Sequence, residues 1–468
     1  MGNHKLRGKD LKIINYKTNR AKSLAIDIMS MHYKHISKKE RLNILKAVKE
    51  NPDEYLDDPI LGVLADEFSE KQQLKVREEV QLLRELGDFK VFGRKHISSN
   101  AYQQMELAMS LPIVERGALM PDAHMGYGLP IGGVLATKNA VIPYGVGVDI
   151  GCRMSLSVFD TQPEYLKRNG YQFKLALQEK TNFGSGGKLN INQEHEVLDR
   201  KEFEATSLLR QLHSKAVHQL GTSGSGNHFV EFGEVELHSG NDLGMPEGNY
   251  LGLLSHSGSR GFGAAIARHY TDVAKNQCLL PRQAQHFAWL DMNSEEGQEY
   301  WLSMNLAGDY AKACHDQIHA NLCRHLGIES VVKIENHHNF AWKETGLAGE
   351  ELIVHRKGAT PAAKGELGII PGSMATDGYI VRGKGESSGL FSAAHGAGRK
   401  MSRSQARNNY TNSALKKVLN SQGVTLIGGG VDEAPIAYKD LNEVMASQKD
   451  LVDIIGKFAP KMVRMDKG

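Results

Sequence analysis

The chain has only four cysteines in 468 residues, Cys152, Cys278, Cys314 and Cys323. They lack the spacing of a disulfide framework, and no Cys-x-x-Cys pair exists for a structural zinc knuckle. Reduced thiols in the cytoplasm are expected. No run of about 18 apolar residues occurs, so no membrane-spanning helix is expected. The opening MGNHKLRGKD lacks the apolar segment of a secretory signal, and Leu6 stands where myristoylation needs Ser or Thr. Charge of one sign is also missing. The 57 basic and 54 acidic side chains leave a net charge of +3, which excludes a histone-like polybasic protein.

Three familiar nucleotide motifs are absent. No G-x-x-x-x-G-K-[ST] loop exists, so this is not a P-loop NTPase. Gly145-Val-Gly147 runs into Asp149-Ile-Gly151, the wrong spacing for a dinucleotide-binding turn. Ala375-Thr-Asp-Gly378 lacks the lysine of the Lys-x-Asp-Gly nucleophile motif of ATP-dependent ligases. No 20–50-residue repeat and no low-complexity tract is visible.

What is present is glycine (49) and histidine (20) in an otherwise ordinary globular composition. Many glycines point to tight turns and to backbone held close to a ligand. Many histidines point to metal or proton chemistry. Residues 1–50 are rich in Lys and Arg, and residues 51–87 turn acidic. Ser37-Lys-Lys-Glu40 reads as a capping box opening a helix that ends near Asn51-Pro52. Ser69-Glu-Lys-Gln72 reads as a second, opening a helix that Gly87 closes. Residues 1–87 are therefore expected as a mainly helical extension, its basic stretch a solvated helix face or an RNA-contacting one. Residues 88–468 are expected as one large α+β catalytic domain. Strands are predicted at 131–136, 154–158, 229–232, 251–255, 331–334, 352–355, 379–382 and 424–427. Helices are predicted at 100–110, 205–219, 263–276, 299–325 and 400–419.

Five polar clusters lie in Gly-rich or loop-like context. Pro121-Asp-Ala-His-Met-Gly-Tyr-Gly128 precedes Gly147-Val-Asp-Ile-Gly-Cys152, in which Asp149 and Cys152 offer one oxygen and one thiolate ligand three residues apart. Gly221-Thr-Ser-Gly-Ser-Gly-Asn-His-Phe-Val-Glu231 combines a turn rich in backbone N–H groups with a polar strand. Ser255-His-Ser-Gly-Ser-Arg260 places His256 at a strand end beside an arginine. Glu335-Asn-His-His-Asn339 offers His337 or His338 as a ligand. Ser392-Ala-Ala-His-Gly-Ala-Gly-Arg399 sets His395 before an expected helix N-terminus, a place suited to phosphate and to a histidine nucleophile. His315-Asp-Gln-Ile-His319 echoes H-E-x-x-H but sits inside a long helix, where packing or surface exposure is the better reading. Jointly the clusters point to metal-dependent phosphoryl or nucleotidyl transfer.

The strings MPDAHMGYGLPIGGV, GVGVDIGC, GTSGSGNHFVE, HSGSRG, HHN, VHRKGAT, IPGSM, SAAHGAGR and DEAPIAYKD, with the terminal KG, run in order from about 88 to 468. Together they resemble the RtcB family of GTP- and Mn²⁺-dependent RNA ligases. The resemblance implies that His395 becomes guanylylated and that Cys152 is shared by two Mn²⁺ ions. It implies Asp149 and His228 on one ion, His256 and His338 on the other. It puts Asn227, Phe229, Glu231, Ser373, Ala397, Gly398, Tyr438 and Lys467 at positions that hold GMP, with Asp122 as a further active-site acid. The implied reaction joins RNA 2′,3′-cyclic phosphate or 3′-phosphate ends to 5′-hydroxyl ends in RNA repair or tRNA splicing. The implied partners are GTP and such RNA ends, with no membrane; whether an activating protein is needed stays open.

Arg260, Arg399 and Arg403 are candidates for RNA phosphate. Two positions depart from the family pattern. Arg153 replaces a usual Gly, which puts a cation beside the metal residue in the path of RNA. Gly378 replaces a usual Ser, which removes one hydroxyl from the nucleotide. Two rivals accompany the ligase reading: a metal-dependent phosphodiesterase or phosphatase on RNA ends, and a catalytically weak RNA-binding paralogue.

Overall fold

The structure is a computed structural model that describes residues 6–16, 19–68, 79–189 and 193–467. The chain divides into two compact units, Met1–Glu78 and Glu79–Gly468. No helix among the described residues is long and apolar enough to cross a membrane.

The first unit is helical, with α1 (Gly8–Ile13), α2 (Asn19–Met31), α3 (Lys38–Glu50) and α4 (Gly62–Asp66). The capping box at α3 forms as its sequence predicts: Glu40 N–H donates to Ser37 Oγ at 3.2 Å, and Ser37 N–H donates to Glu40 Oε2 at 2.8 Å. Leu11, Tyr16, Ala25, Leu45 and Leu64 form a small apolar core. Part of the basic run is structural rather than solvated. Arg41 is buried and donates to the Lys34 and Ile36 carbonyls, and Lys38 pairs with Asp10 at 2.7 Å.

The capping box at Ser69–Gln72 lies outside the described residues. The helix expected to run on to Gly87 is not formed over 79–87, where the backbone is irregular. There Val80 N–H donates to the Leu279 carbonyl and Leu83 N–H to the Ser110 carbonyl. Val80 and Leu82 pack on the core of the second unit. Those outside partners replace the i−4 carbonyls of a helix.

The second unit is α+β. Its main strands, in chain order, are β1 (Phe89–Val91), β2 (Val114–His124), β3 (Ile131–Thr137), β4 (Arg153–Phe159), β5 (Phe229–Leu237), β6 (Gly248–Ser257), β7 (Val332–His337), β8 (Asn339–Thr345), β9 (Glu351–Lys357), β10 (Leu367–Ile370), β11 (Gly378–Gly383), β12 (Thr425–Ile427) and β13 (Val452–Met465). Among the described residues they form a five-stranded sheet, β1-β2-β3-β9-β8, and an eight-stranded sheet, β10-β11-β13-β5-β6-β4-β7, with β12 alongside β13. The helices used below are α5 (Ser99–Met109), α6 (Gly170–Lys180), α7 (Ser207–Gln219), α8 (Arg260–Gln277), α9 (Glu295–Leu326), α10 (Arg403–Asn409) and α11 (Asn412–Ser421).

Each predicted strand and helix from 100 onward has a counterpart, with one division. The helix expected over 400–419 breaks at Tyr410, which is extended, because Thr411 restarts it by accepting the Ala414 N–H on its hydroxyl.

Strand alternation sets the position of the candidate site. On β6, His256 and Leu254 face one side of the eight-stranded sheet, and Ser255 and Ser257 face the other, where α9 lies. On β4, Ser155 and Ser157 face the α9 side as well. Arg153 shares their parity. Its electrostatic neighbours are Glu335 and the α9 residues Asp316 and Asp309, and it is buried. The cation expected in the RNA path therefore points away from the Cys152 side of the sheet.

Candidate metal and nucleotide centre

Cys152, His228 and His256 converge although 76 and 104 residues separate the two histidines from the cysteine. Cys152 Sγ lies 3.4 Å from His228 Nε2 and 3.2 Å from His256 Nε2. Asp149 Oδ2 is 2.9 Å from His228 Nε2. His338 Nε2 is 3.2 Å from His256 Nε2. His228 Nε2 thus meets both the thiol and Asp149, and His256 Nε2 meets both the thiol and His338.

The local sequence explains how this is held. His228 follows the Ser-Gly turn just ahead of β5, and His256 is the penultimate residue of the neighbouring β6. Phe229 is registered opposite His256, so the two segments meet at their ends. His338 lies between β7 and β8, with its N–H on the Cys152 carbonyl at 3.0 Å. Gly258, two residues after His256, lets Asp149 approach closely, since a Cβ there would lie 2.1 Å from Asp149 Oδ1.

These groups are matched to a soft or borderline cation rather than to each other. His256 Nδ1–H donates to the Asn227 carbonyl at 3.0 Å, which leaves Nε2 bare and aimed at Cys152 and His338. His228 Nδ1 and His338 Nδ1 are buried without a partner. Burial drives the His256 imidazole down to about 3 and His338 well below its usual range. Burial, then the Asp149 carboxylate, pushes the Cys152 thiol well up. Neutral nitrogens and a disfavoured thiolate crowded together gain most from a positive ion among them. The residues present form a cluster that can hold a metal ion.

Next to this cluster stands His395. Its ring centroid is 4.9 Å from that of His338. His395 Nδ1 is 2.6 Å from Asp122 Oδ2, and the same oxygen accepts the His395 N–H at 3.2 Å. Asp122 is fully buried. The carboxylate therefore fixes the proton on Nδ1 and leaves Nε2 as the free lone pair. His395 directly follows a short strand, Ser392–Ala394, and the next helix begins only at Arg403. The expected helix N-terminus behind His395 is absent; Asp122 orients the ring instead. Gly398 makes this possible, since a Cβ there would lie 2.0 Å from the Asp122 carbonyl oxygen.

A pocket opens at the Asn227–Phe229 segment that leads into the cluster. Asn227, Phe229, Glu231, Ser373 and Tyr438 line it, as do Met374, Thr376 and Glu433. Burial raises the Glu231 carboxyl well above the usual range. Ala397 is packed in the core beside the cavity wall and Gly398 against Asp122. Lys467 is exposed and is not among the lining residues. Gly378 lies on the wall, where a Cβ would come within 3.0 Å of Pro371 Cα. Thr376 brings a hydroxyl to the same wall, 2.9 Å from Ser373 Oγ.

The three arginines behave differently from one another. Arg260 is buried, with Nε on Thr222 Oγ1 and a terminal nitrogen on the Gly184 carbonyl. Arg399 binds Glu433 Oε2 and the Asp432 carbonyl. Arg403 is about half exposed, 3.0 Å from Glu433 Oε1. The first two brace loops, and only the third keeps a free surface.

Sequence reasoning gave no role to Glu433, Lys357 and Lys439. Glu433 accepts from the Tyr438 hydroxyl and from Arg399. Lys439 Nζ donates to the carbonyls on either side of Asp122, at 3.2 and 2.7 Å. Lys357 is buried, and burial brings its ammonium down to about 7. All three stand inside or beside strings already singled out, but charge alone does not distinguish them from surface residues.

The family profile described as tRNA-splicing ligase RtcB matches residues 103–211 and 193–466. The RNA-splicing ligase RtcB of Escherichia coli (strain K12) is 32% identical over 401 residues, covering 77% of this chain and 92% of the relative. The tRNA-splicing ligase RtcB of Nanoarchaeum equitans is 31% identical over 436 residues, covering 77% and 90%. The RNA-splicing ligase RtcB of Mycobacterium tuberculosis is 29% identical over 433 residues, covering 76% and 98%. With its α+β catalytic domain, this chain belongs to the RtcB family of RNA ligases.

Proposed function

We propose that this protein is a GTP- and Mn²⁺-dependent RNA ligase of the cytoplasm. It joins RNA 2′,3′-cyclic phosphate or 3′-phosphate ends to 5′-hydroxyl ends through a histidine–GMP intermediate, in RNA repair or tRNA splicing. The observation that carries the reading is the Asp122–His395 pair at 2.6 Å beside the Cys152 cluster. A histidine with one nitrogen tied to a carboxylate and the other bare is a prepared nucleophile.

Asp149, Cys152 and His228 would hold one ion, and Cys152, His256 and His338 the other. When bound, such ions supply positive charge that offsets phosphate charge. Asp122 keeps the His395 proton on Nδ1 while Nε2 attacks the α-phosphorus of GTP. The N–P bond forms and pyrophosphate leaves. The GMP then passes to the RNA 3′-phosphate, which frees His395. The 5′-hydroxyl attacks the activated phosphate and GMP departs. A cyclic phosphate is first opened by water to the 3′-phosphate.

The pocket at the Asn227–Phe229 segment suits guanine. Glu231 in its lining offers a carboxyl group that can pair with a ring N–H, Phe229 and Tyr438 offer ring faces, and Ser373, Thr376 and Asn227 offer polar contacts to sugar and phosphate. Residues 1–87 are proposed as an extension that contributes to RNA choice, with 88–468 as the catalytic part.

The test is incubation with α-labelled GTP and Mn²⁺. Acid-labile, alkali-resistant label on the wild type and none on His395→Ala is the expected result. A wild type that binds metal yet takes no label overturns the ligase reading and favours hydrolysis of RNA ends.

A further inference from the structure

The loop after β2 holds two large apolar side chains in water by means of a rigid backbone. Met125 is 61% exposed and Tyr127 71% exposed. Between them, both polar groups of Gly126 are clamped by one side chain on α5. Gln104 Nε2 donates to the Gly126 carbonyl at 2.6 Å, and Gly126 N–H donates to Gln104 Oε1 at 3.1 Å. The Tyr127 carbonyl accepts from the buried Lys357 ammonium, which also reaches the Tyr144 carbonyl at 3.3 Å. Gly128, at φ +67°, lies against His286, whose ring meets Tyr144 at 4.8 Å and the edge of Tyr127 at 6.1 Å. A loop fixed at three consecutive residues does not need exposed apolar tips for its own stability.

The loop also lies on a line into the candidate centre. It leaves β2 at His124, two residues after Asp122, the partner of His395. Lys357, which grips Tyr127, is followed by Gly358, where a Cβ would lie 3.2 Å from His395 Cε1. The stem of Lys357 also runs past Gly147, two residues before Asp149. Val148, between them, is itself an exposed apolar residue. Lys357 thus ties the exposed Tyr127 segment to the strand end that leads to Gly358 beside His395.

We propose that Tyr127 and Met125 form a preformed platform on which an unpaired nucleobase of the RNA end stacks, positioning that end at His395. The proposal rests on the RNA-ligase reading and adds the residues that meet the base. An exposed ring offers its face to any base without hydrogen-bond readout, so the platform fits a ligase acting on ends of differing sequence. Its rigidity means that little ordering is needed on binding.

The experiment measures binding of a fluorescent 3′-phosphate RNA by anisotropy and, in parallel, the KM for that RNA in sealing. The probes are the intact oligonucleotide and one with abasic terminal nucleotides. Met125→Ala/Tyr127→Ala is expected to weaken intact RNA about tenfold. The abasic RNA is expected to bind the wild type about tenfold more weakly and the double variant no worse than intact RNA does. Tyr127→Phe restores binding, because the ring and not the hydroxyl makes the contact. Tyr171→Ala, on α6 with 74% exposure, is the neutral comparison. Equal affinity of the double variant and the wild type overturns the platform. So does wild-type indifference to the missing bases, the pattern expected if a protein partner covers the loop. Failure of GTP labelling in the wild type sinks the ligase chemistry but leaves the RNA affinities to be read separately.

Discussion

The two faces of the eight-stranded sheet treat histidine in opposite ways. On the α9 face, His315 and His319 are buried, and every nitrogen has a partner. The proton positions there are forced. His315 Nε2–H donates to the Ser257 carbonyl at 3.2 Å, so its Nδ1 accepts the Ser255 hydroxyl at 2.6 Å. Ser255 Oγ in turn accepts His319 Nε2–H at 2.8 Å, and His319 Nδ1 accepts the Ser157 hydroxyl at 2.8 Å. On the opposite face, one residue along the same strand, His256 aims a bare nitrogen at Cys152 and His338, and two neighbouring histidines have unpartnered nitrogens. Burial is equal on both sides; completion of the hydrogen bonds is not. A satisfied pair is architecture, and an unsatisfied cluster is a site awaiting a ligand.

The sharpest way to break this comparison is Cys152→Ala. Metal content of the purified protein is expected to drop and sealing to disappear, while the metal-free fold keeps its stability because one crowded group has gone. Wild-type metal content by mass spectrometry would remove Cys152 from the centre. Asp122→Asn comes next. It keeps an acceptor near His395 but loses the charge that fixes the tautomer, so GTP labelling is expected to slow by about 10³–10⁴-fold. An effect under tenfold would mean that Asp122 does not orient the nucleophile.

His315→Ala tests the other face. It removes the donor to the Ser257 carbonyl and the acceptor of the Ser255 hydroxyl proton and opens a small void, so unfolding by urea is expected to require about 2–4 kcal/mol less. Metal stoichiometry is expected to stay unchanged in the folded protein. Lost metal with intact stability would reverse the assignment of the two faces.

Much of this was legible in the residues. The strings around His228, His256, His338 and His395 identify chemistry because polar residues in Gly-rich turns have no packing role to explain them. Their convergence was not legible from spacing, since it depends on β5, β6 and β4 being neighbours. Long strands were the least visible elements. β2 contains Pro121 and β13 contains Pro460, each at or within a shift of register where a strand tolerates a residue without N–H. His315-Asp-Gln-Ile-His319 reads as packing from its place in a long helix, but its partners, serines from two strands, are found only in three dimensions. Arg153 misled for a simpler cause. Adjacency to Cys152 in sequence places it on the opposite face of a strand.

The smallest effect concerns pH, and it separates the faces without disturbing the centre. Burial depresses His319 to about 3 and His315 well below its ordinary value near 6.5. The folded chain therefore binds fewer protons than the unfolded chain below pH 6.5. The stability these neutral histidines permit is complete above that pH and is lost as pH falls toward 3. Each such histidine contributes a slope of about 1.4 kcal/mol per pH unit in that window. His319→Gln keeps a donor and an acceptor on α9 but does not titrate. The difference in unfolding free energy between wild type and variant is expected to shift by about that slope between pH 6.5 and 5, in favour of the variant at low pH. A difference that stays constant across this range would mean that His319 is already protonated in the fold. Burial, with the Ser157 hydroxyl donating to Nδ1, holds the His319 ring neutral in the folded chain.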